Sequence, residues 1–112
     1  SKVFNLMPKI TYIEHNGKEH HIEMPIGYSI MEGAIKNSIP GIDADCGGSC
    51  ACATCHVYVD ENFLSKIPKA QESEQDMIDF IQDADKSSRL SCQIMITNDL
   101  DGIVVRMPEK QS

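Results

Sequence analysis

The hydrophobic pattern opens on Lys9-Ile10-Thr11-Tyr12-Ile13-Glu14, a run rich in β-branched and aromatic residues that reads as a β-strand. His15-Asn16-Gly17-Lys18 follows, and Asn-Gly is a strong hairpin signal because both residues tolerate positive φ. The return strand covers residues 19–24, with Ile22 and Met24 on one face, and Pro25 and Gly27 end it. The pattern then changes to a helical one. Ser29-Ile30-Met31-Glu32 has the form of a capping box, in which the serine accepts from an amide three residues on and the glutamate reaches back. Ile30, Met31, Ala34 and Ile35 are predicted as the buried face of this helix, and Asn37-Ser38-Ile39-Pro40-Gly41 as its stop.

After a loop rich in cysteine, His56-Val57-Tyr58-Val59 reads as a short strand. Pro68 separates it from a second amphipathic helix, which begins near residues 71–73 and runs to Asp85. Leu90-Ser91-Cys92-Gln93-Ile94-Met95-Ile96-Thr97 is predicted as a further strand, residues 98–102 as a turn, and Ile103-Val104-Val105-Arg106 as the last strand. Hairpin, helix, loop, strand, helix and two strands make a small α+β domain. A single domain over residues 1–112 is expected, with flexible ends at 1–8 and 109–112. Local patterning alone does not fix its topology.

Composition narrows the range of functions. A hydrophobic content of 41% is ordinary for a globular protein, and no apolar run is long enough to span a membrane. The opening residues lack the apolar stretch of a signal peptide, so a cytoplasmic chain is expected, or a mitochondrial-matrix one in a eukaryote. The net charge of −7 argues against nucleic acid and anionic membranes and favours a basic protein partner.

The five cysteines carry the chemistry. Cys46, Cys52 and Cys55 stand in one loop as C-x5-C-x2-C, and 36 residues separate Cys55 from Cys92. Three thiolates from a tight loop and one from a distant segment suit a [2Fe–2S] cluster. The plant-type C-x4-C-x2-C spacing cannot be built anywhere in the chain, and a single residue separates Cys50 from Cys52. Cys50 is therefore read as a spare thiol. Gly47 and Gly48 can turn backbone amides toward the sulfurs, which stabilises the cluster's negative charge. A Rieske centre needs two histidine ligands, so His56 is expected to be structural, tying the cluster loop to the sheet. His15, His20 and His21 have no ligand spacing to the cysteines and read as surface residues.

Zinc is the metallic rival, because Cys52-Ala53-Thr54-Cys55 is a C-x2-C knuckle and four thiolates satisfy tetrahedral zinc. Cys92 has no second cysteine or histidine nearby to complete a paired knuckle. The alternative function is then a zinc-stabilised interaction module with no redox role.

The second helix has an acidic stripe. At about 100° per residue, Glu72, Asp76, Asp79 and Asp83 fall within a band roughly 60° wide, opposite Met77, Ile81 and Ala84 and flanked by Phe80 and Ile78. Like charges four apart disfavour a helix by a few tenths of a kcal/mol per pair. An ordinary solvated face would interleave lysines, so a docking surface is the expectation.

With these features placed, the chain resembles the adrenodoxin-type [2Fe–2S] ferredoxins from Lys9 to Pro108. The most specific elements are Cys46-Gly47-Gly48-Ser49-Cys50-Ala51-Cys52-Ala53-Thr54-Cys55-His56 and Arg89-Leu90-Ser91-Cys92-Gln93. The resemblance implies a β-grasp fold, one [2Fe–2S] cluster held by Cys46, Cys52, Cys55 and Cys92, and a structural His56. It implies an acidic interaction helix containing Asp76 and Asp79, with Glu72 and Glu74 nearby. It further implies a monomeric one-electron carrier rather than an enzyme. The donor would be a NAD(P)H-dependent flavoprotein reductase, and the recipient iron–sulfur assembly proteins or a cytochrome P450. Putidaredoxin-like P450 partners carry a functional C-terminal tryptophan, and this chain has no Trp. That departure turns the expectation toward a general or assembly-type role.

Overall fold

The structure, a computed structural model, describes residues 7–42 and 55–109. Five strands form one mixed sheet in the order β2-β1-β5-β3-β4. Strand β1 (Lys9–Ile13) pairs antiparallel with β2 (Glu19–Glu23) and parallel with β5 (Ile103–Arg106). Strand β3 (His56–Val59) lies antiparallel to both β5 and β4 (Ser88–Leu90). The parallel β1–β5 pair places the first and last strands of the described residues side by side at the middle of an open sheet whose edges are β2 and β4. Pro8 was assigned by the sequence to a flexible end, but it is fully buried and its carbonyl accepts from Met24 N at 3.2 Å.

The hairpin forms where the sequence pattern placed it, with a different turn. Glu14 O accepts from Gly17 N at 2.8 Å, and Glu14 N donates to Lys18 O at 2.8 Å. Only Gly17, at φ 94°, is left-handed in this turn. The connection is thus a turn closed on Gly17 rather than a two-residue turn with both Asn16 and Gly17 at positive φ.

Helix α1 (Ile30–Lys36) has the expected capping box, with Glu32 N donating to Ser29 Oγ at 3.0 Å and Ser29 N to Glu32 Oε1 at 2.9 Å. Its buried face is Ile30, Met31, Gly33 and Ala34. Ile35 was expected there and instead is half exposed. The reason is the close seat of the helix on β1: Tyr12 is fully buried and its hydroxyl donates to Ile30 O at 2.6 Å, so the backbone at Gly33 faces the sheet. Burial raises the Tyr12 phenol well above its ordinary pKa, so it remains a donor.

Two expectations fail in the second half. The strand predicted over residues 90–97 shares only Leu90 with β4, after which Ser91–Gln93 form a 3₁₀ turn. The alternation that suggested a strand is real, since Ile94 and Ile96 are buried and Met95 is half exposed. Its partner is the entrance to α1, where Ile30 N donates to Ile94 O at 2.9 Å and Ile96 N to Tyr28 O at 2.8 Å. The acidic helix is also shorter than predicted. Helix α3 (Glu72–Asp79) ends at Phe80, and successive turns carry the chain on to β4. A four-residue helix, α2 (Glu61–Leu64), capped by Asp60 accepting from Asn62 N at 3.0 Å, was not anticipated.

The Gly33 seat gives a direct test. An alanine Cβ there would stand 2.6 Å from Tyr12 Oη and 3.2 Å from Met24 Cγ. Tyr12 cannot retreat without giving up its buried hydrogen bond. Gly33→Ala gains about 1 kcal/mol of helix propensity but overpacks the core by about 1–3 kcal/mol. A lower urea midpoint by circular dichroism is the expected outcome.

Candidate metal centre

Two of the four expected ligands lie among the described residues, and the sheet brings them together. Cys55 leads directly into β3, and Cys92 follows β4 by two residues. The antiparallel register sets His56 opposite Leu90. Beyond that pair the two chains are tied again, because Ser91 N and Ser91 Oγ both donate to Cys55 O, at 2.9 and 2.7 Å. The 3₁₀ turn then carries Cys92 back over Cys55, and the sulfurs stand 3.3 Å apart. Both cysteines are buried.

That separation is too long for a disulfide, whose sulfurs lie about 2.05 Å apart. Two thiolates on one tetrahedral ion with metal–sulfur bonds of about 2.3 Å stand about 3.8 Å apart. The pair is therefore close to the spacing that one metal ion requires. Gln93 Nε2 donates to Cys92 Sγ at 3.4 Å. Buried paired sulfurs with an amide donor fit one iron of a thiolate-held cluster. Cys46, Gly47, Gly48, Cys50 and Cys52 lie outside the described residues.

His56 is buried at the start of β3, where Nε2 shares a 2.8 Å hydrogen bond with Ser88 Oγ. Its ring meets Tyr58 edge-on at 4.7 Å. Ser88 Oγ also accepts from Asp85 N at 2.9 Å, so His56 is joined to the turn that feeds β4. Burial lowers the imidazole pKa, and the Asp85 and Asp83 carboxylates oppose that shift. The Ser87 hydroxyl and amide both donate to Asp85 Oδ1 and hold that carboxyl below its ordinary range. His20 and His21 contact glutamates on the hairpin, remote in sequence from either sulfur.

Glu74 requires a correction. It was grouped with the acidic docking residues, yet it is 2% exposed and faces inward. Its carboxylate accepts from Arg89 Nε at 2.6 Å, Arg89 Nη2 at 3.0 Å and Leu90 N at 2.9 Å. Arg89 Nη1 donates to Pro68 O at 2.9 Å. This bidentate buried pair bolts α3 to the strand that leads to Cys92. Asp83 also leaves the stripe, because it lies beyond the end of α3, where its carbonyl accepts from Tyr58 Oη at 2.8 Å. Glu72, Asp76 and Asp79 are exposed on α3, and Phe80 at its end is 84% exposed.

The roles of Arg89, Ser91 and Gln93 were not recognised in the sequence. Arg89 alone left a signal, since a charged residue in a buried strand requires a carboxylate partner. The helical wheel held a signal for the acid as well: at about 100° per residue Glu74 falls about 200° from Glu72, on the apolar side opposite the acidic stripe.

Comparison with known proteins points the same way as the geometry. Residues 13–97 match the family described as the 2Fe–2S iron–sulfur cluster binding domain. The chain is 44% identical to rhodocoxin of Rhodococcus erythropolis over 106 residues, covering 94% of this chain and 99% of that protein. A crystal structure of a reduced single-residue variant of putidaredoxin from Pseudomonas putida superposes with a TM-score of 0.90 at 45% identity, covering 93% of this chain and 99% of the other. A covalent putidaredoxin reductase–putidaredoxin complex also matches, with a TM-score of 0.87 at 46% identity and 91% and 99% coverage.

Two outcomes are expected from substitution at this site. Glu74→Gln leaves the buried Arg89 charge uncompensated and costs about 3–5 kcal/mol, read as an earlier urea-induced loss of cluster absorption. Cys92→Ser loses the visible chromophore and its iron while Cys50→Ser retains both. Equal loss in the two serine variants would show that the ligand set is wrong.

Proposed function

The chain belongs to the adrenodoxin-type [2Fe–2S] ferredoxins and carries single electrons, and we propose that it takes them from a flavoprotein ferredoxin reductase and passes them to a cytochrome P450. Membership of this family replaces the zinc-module alternative. The observation that carries the proposal is the likeness, over nearly the whole chain, to putidaredoxin, including putidaredoxin in complex with its reductase. The absence of tryptophan, which favours an assembly-type recipient, is outweighed by that full-length likeness.

The cluster supplies a site that gains and loses one electron with little change in structure. We assign its ligation to Cys46, Cys52, Cys55 and Cys92. The residues around it hold the ligand strands still. Ser91 fixes Cys55 and Cys92 relative to each other, His56 anchors β3 to the Asp85 turn, and Glu74–Arg89 secures β4. Rigidity matters because a carrier that reorganises on each reduction loses rate.

The outer side of α3 provides the docking face. Glu72, Asp76 and Asp79 are exposed there, and the net charge of −7 extends their field toward a basic partner. Steering of this kind raises association rates by about 10 to 10³-fold at low salt. No helix among the described residues is long and apolar enough to cross a membrane, so these encounters need no membrane-spanning helix from this region.

The test couples the purified holoprotein to a putidaredoxin reductase-type flavoprotein and a P450. Asp76→Asn combined with Asp79→Asn is expected to lower reductase kcat/KM about tenfold at low ionic strength, with the difference closing at high salt. An unchanged low-salt rate would return this surface to simple solvation. Electron delivery to cluster-assembly proteins but to no P450 would reassign the recipient.

A further inference from the structure

We propose that Gln93 is a potential-setting residue, acting through an amide N–H hydrogen bond to the Cys92 sulfur. The inference rests on Cys92 being an iron ligand. Gln93 Nε2 lies 3.4 Å from Cys92 Sγ, an ordinary length for a donor on a large sulfur acceptor. The opposite amide orientation would turn a carbonyl lone pair toward the sulfur, so the nitrogen belongs on that side.

The backbone fixes the point from which this contact is made. Gln93 closes the 3₁₀ turn Ser91–Gln93, and that turn is anchored by the two Ser91 bonds to Cys55 O. Ile94 N also donates to Ser91 O at 3.4 Å, and Ile94 is fully buried. The Gln93 side chain is exposed, whereas Cys92 is 9% exposed. The amide therefore spans the boundary between water and the ligand sulfur.

Reduction adds one electron and no proton, so the ligand sulfurs become more negative. An N–H dipole on the sulfur stabilises the reduced state more than the oxidised one, because a hydrogen bond strengthens as its acceptor gains charge. The Gln93 bond thus raises the reduction potential. A purely structural glutamine would contribute equally to both states and leave the potential alone.

Gln93→Met keeps the length of the side chain and removes the donor, and at an exposed position it is compatible with folding. Holoprotein of both forms is titrated spectroelectrochemically, with iron content and visible absorption confirming equal cluster loading. The variant is expected to shift the one-electron equilibrium about three- to tenfold toward the oxidised state, roughly 30 to 59 mV lower at 59 mV per tenfold. Electron–nuclear double resonance of the reduced proteins in H₂O and D₂O should show an exchangeable proton coupled to the cluster in the parent and missing from the variant. An unchanged potential overturns the proposal, and so does a lowered potential with the exchangeable proton retained. Loss of the premise itself would look different: the parent protein would lack the chromophore, or Cys92→Ser would keep it.

Discussion

The fold around the metal centre depends on one buried carboxylate. Glu74 accepts three hydrogen bonds, two from the Arg89 guanidinium and one from Leu90 N. Strand β4 is the edge of the sheet, with β3 on its other side. Ser91 N points toward β3 to reach Cys55 O, so the neighbouring Leu90 N points away from the sheet. No strand is there to receive it. Glu74 stands in for that missing strand, and α3 covers an edge that would otherwise present an open donor. Desolvating such a pair is costly, and the gain is positional: the helix can sit on the edge strand in one register only.

The consequence travels along the chain to the sulfurs. Between Leu90 and Cys92 lies only Ser91, whose amide and hydroxyl converge on Cys55 O. Register at β4 therefore becomes the position of Cys92 with almost no intervening freedom. A strand continuing through residue 97 would have pointed Cys92 and Ile94 to the same face. The 3₁₀ turn instead reserves Cys92 for Cys55 and leaves Ile94 and Ile96 to fill the core beside α1. A further benefit is that Gln93 emerges at the solvent boundary beside the sulfur it touches.

These relationships explain which parts of the protein could be read from its sequence. Elements whose signals are local were legible: the β1–β2 hairpin, the Ser29–Glu32 capping box, β3 and β5. The cofactor was legible because thiolate spacing is a chemical requirement carried within a few residues. The misread features were non-local. Ile35 looked buried until Tyr12 placed Gly33 against the sheet. Glu74 and Glu72 lie about 200° apart around the helix, a local signal that Glu74 leaves the stripe, but the Arg89 that receives it stands outside the helix. Residues 90–97 alternate as a strand does, but the hydrogen-bond partner is a helix entrance sixty or more residues earlier in the chain.

The division of α3 into two faces has a mechanical meaning. Glu74 and Ile78, one helical turn apart, face inward and hold β4, while Glu72, Asp76 and Asp79 face water. A partner that docks on the outer carboxylates thus presses on an element whose inner face is clamped by a bidentate ion pair. Because that clamp is buried, salt screens it far less than it screens the outer charges. With docking on the outer carboxylates as proposed, ionic strength tunes the encounter while β4 stays in place. The same separation means that neutralising the outer acids removes steering charge without disturbing Arg89. A carrier that alternates between partners needs this independence, since binding must be weak enough to reverse while the metal site remains unchanged through every encounter.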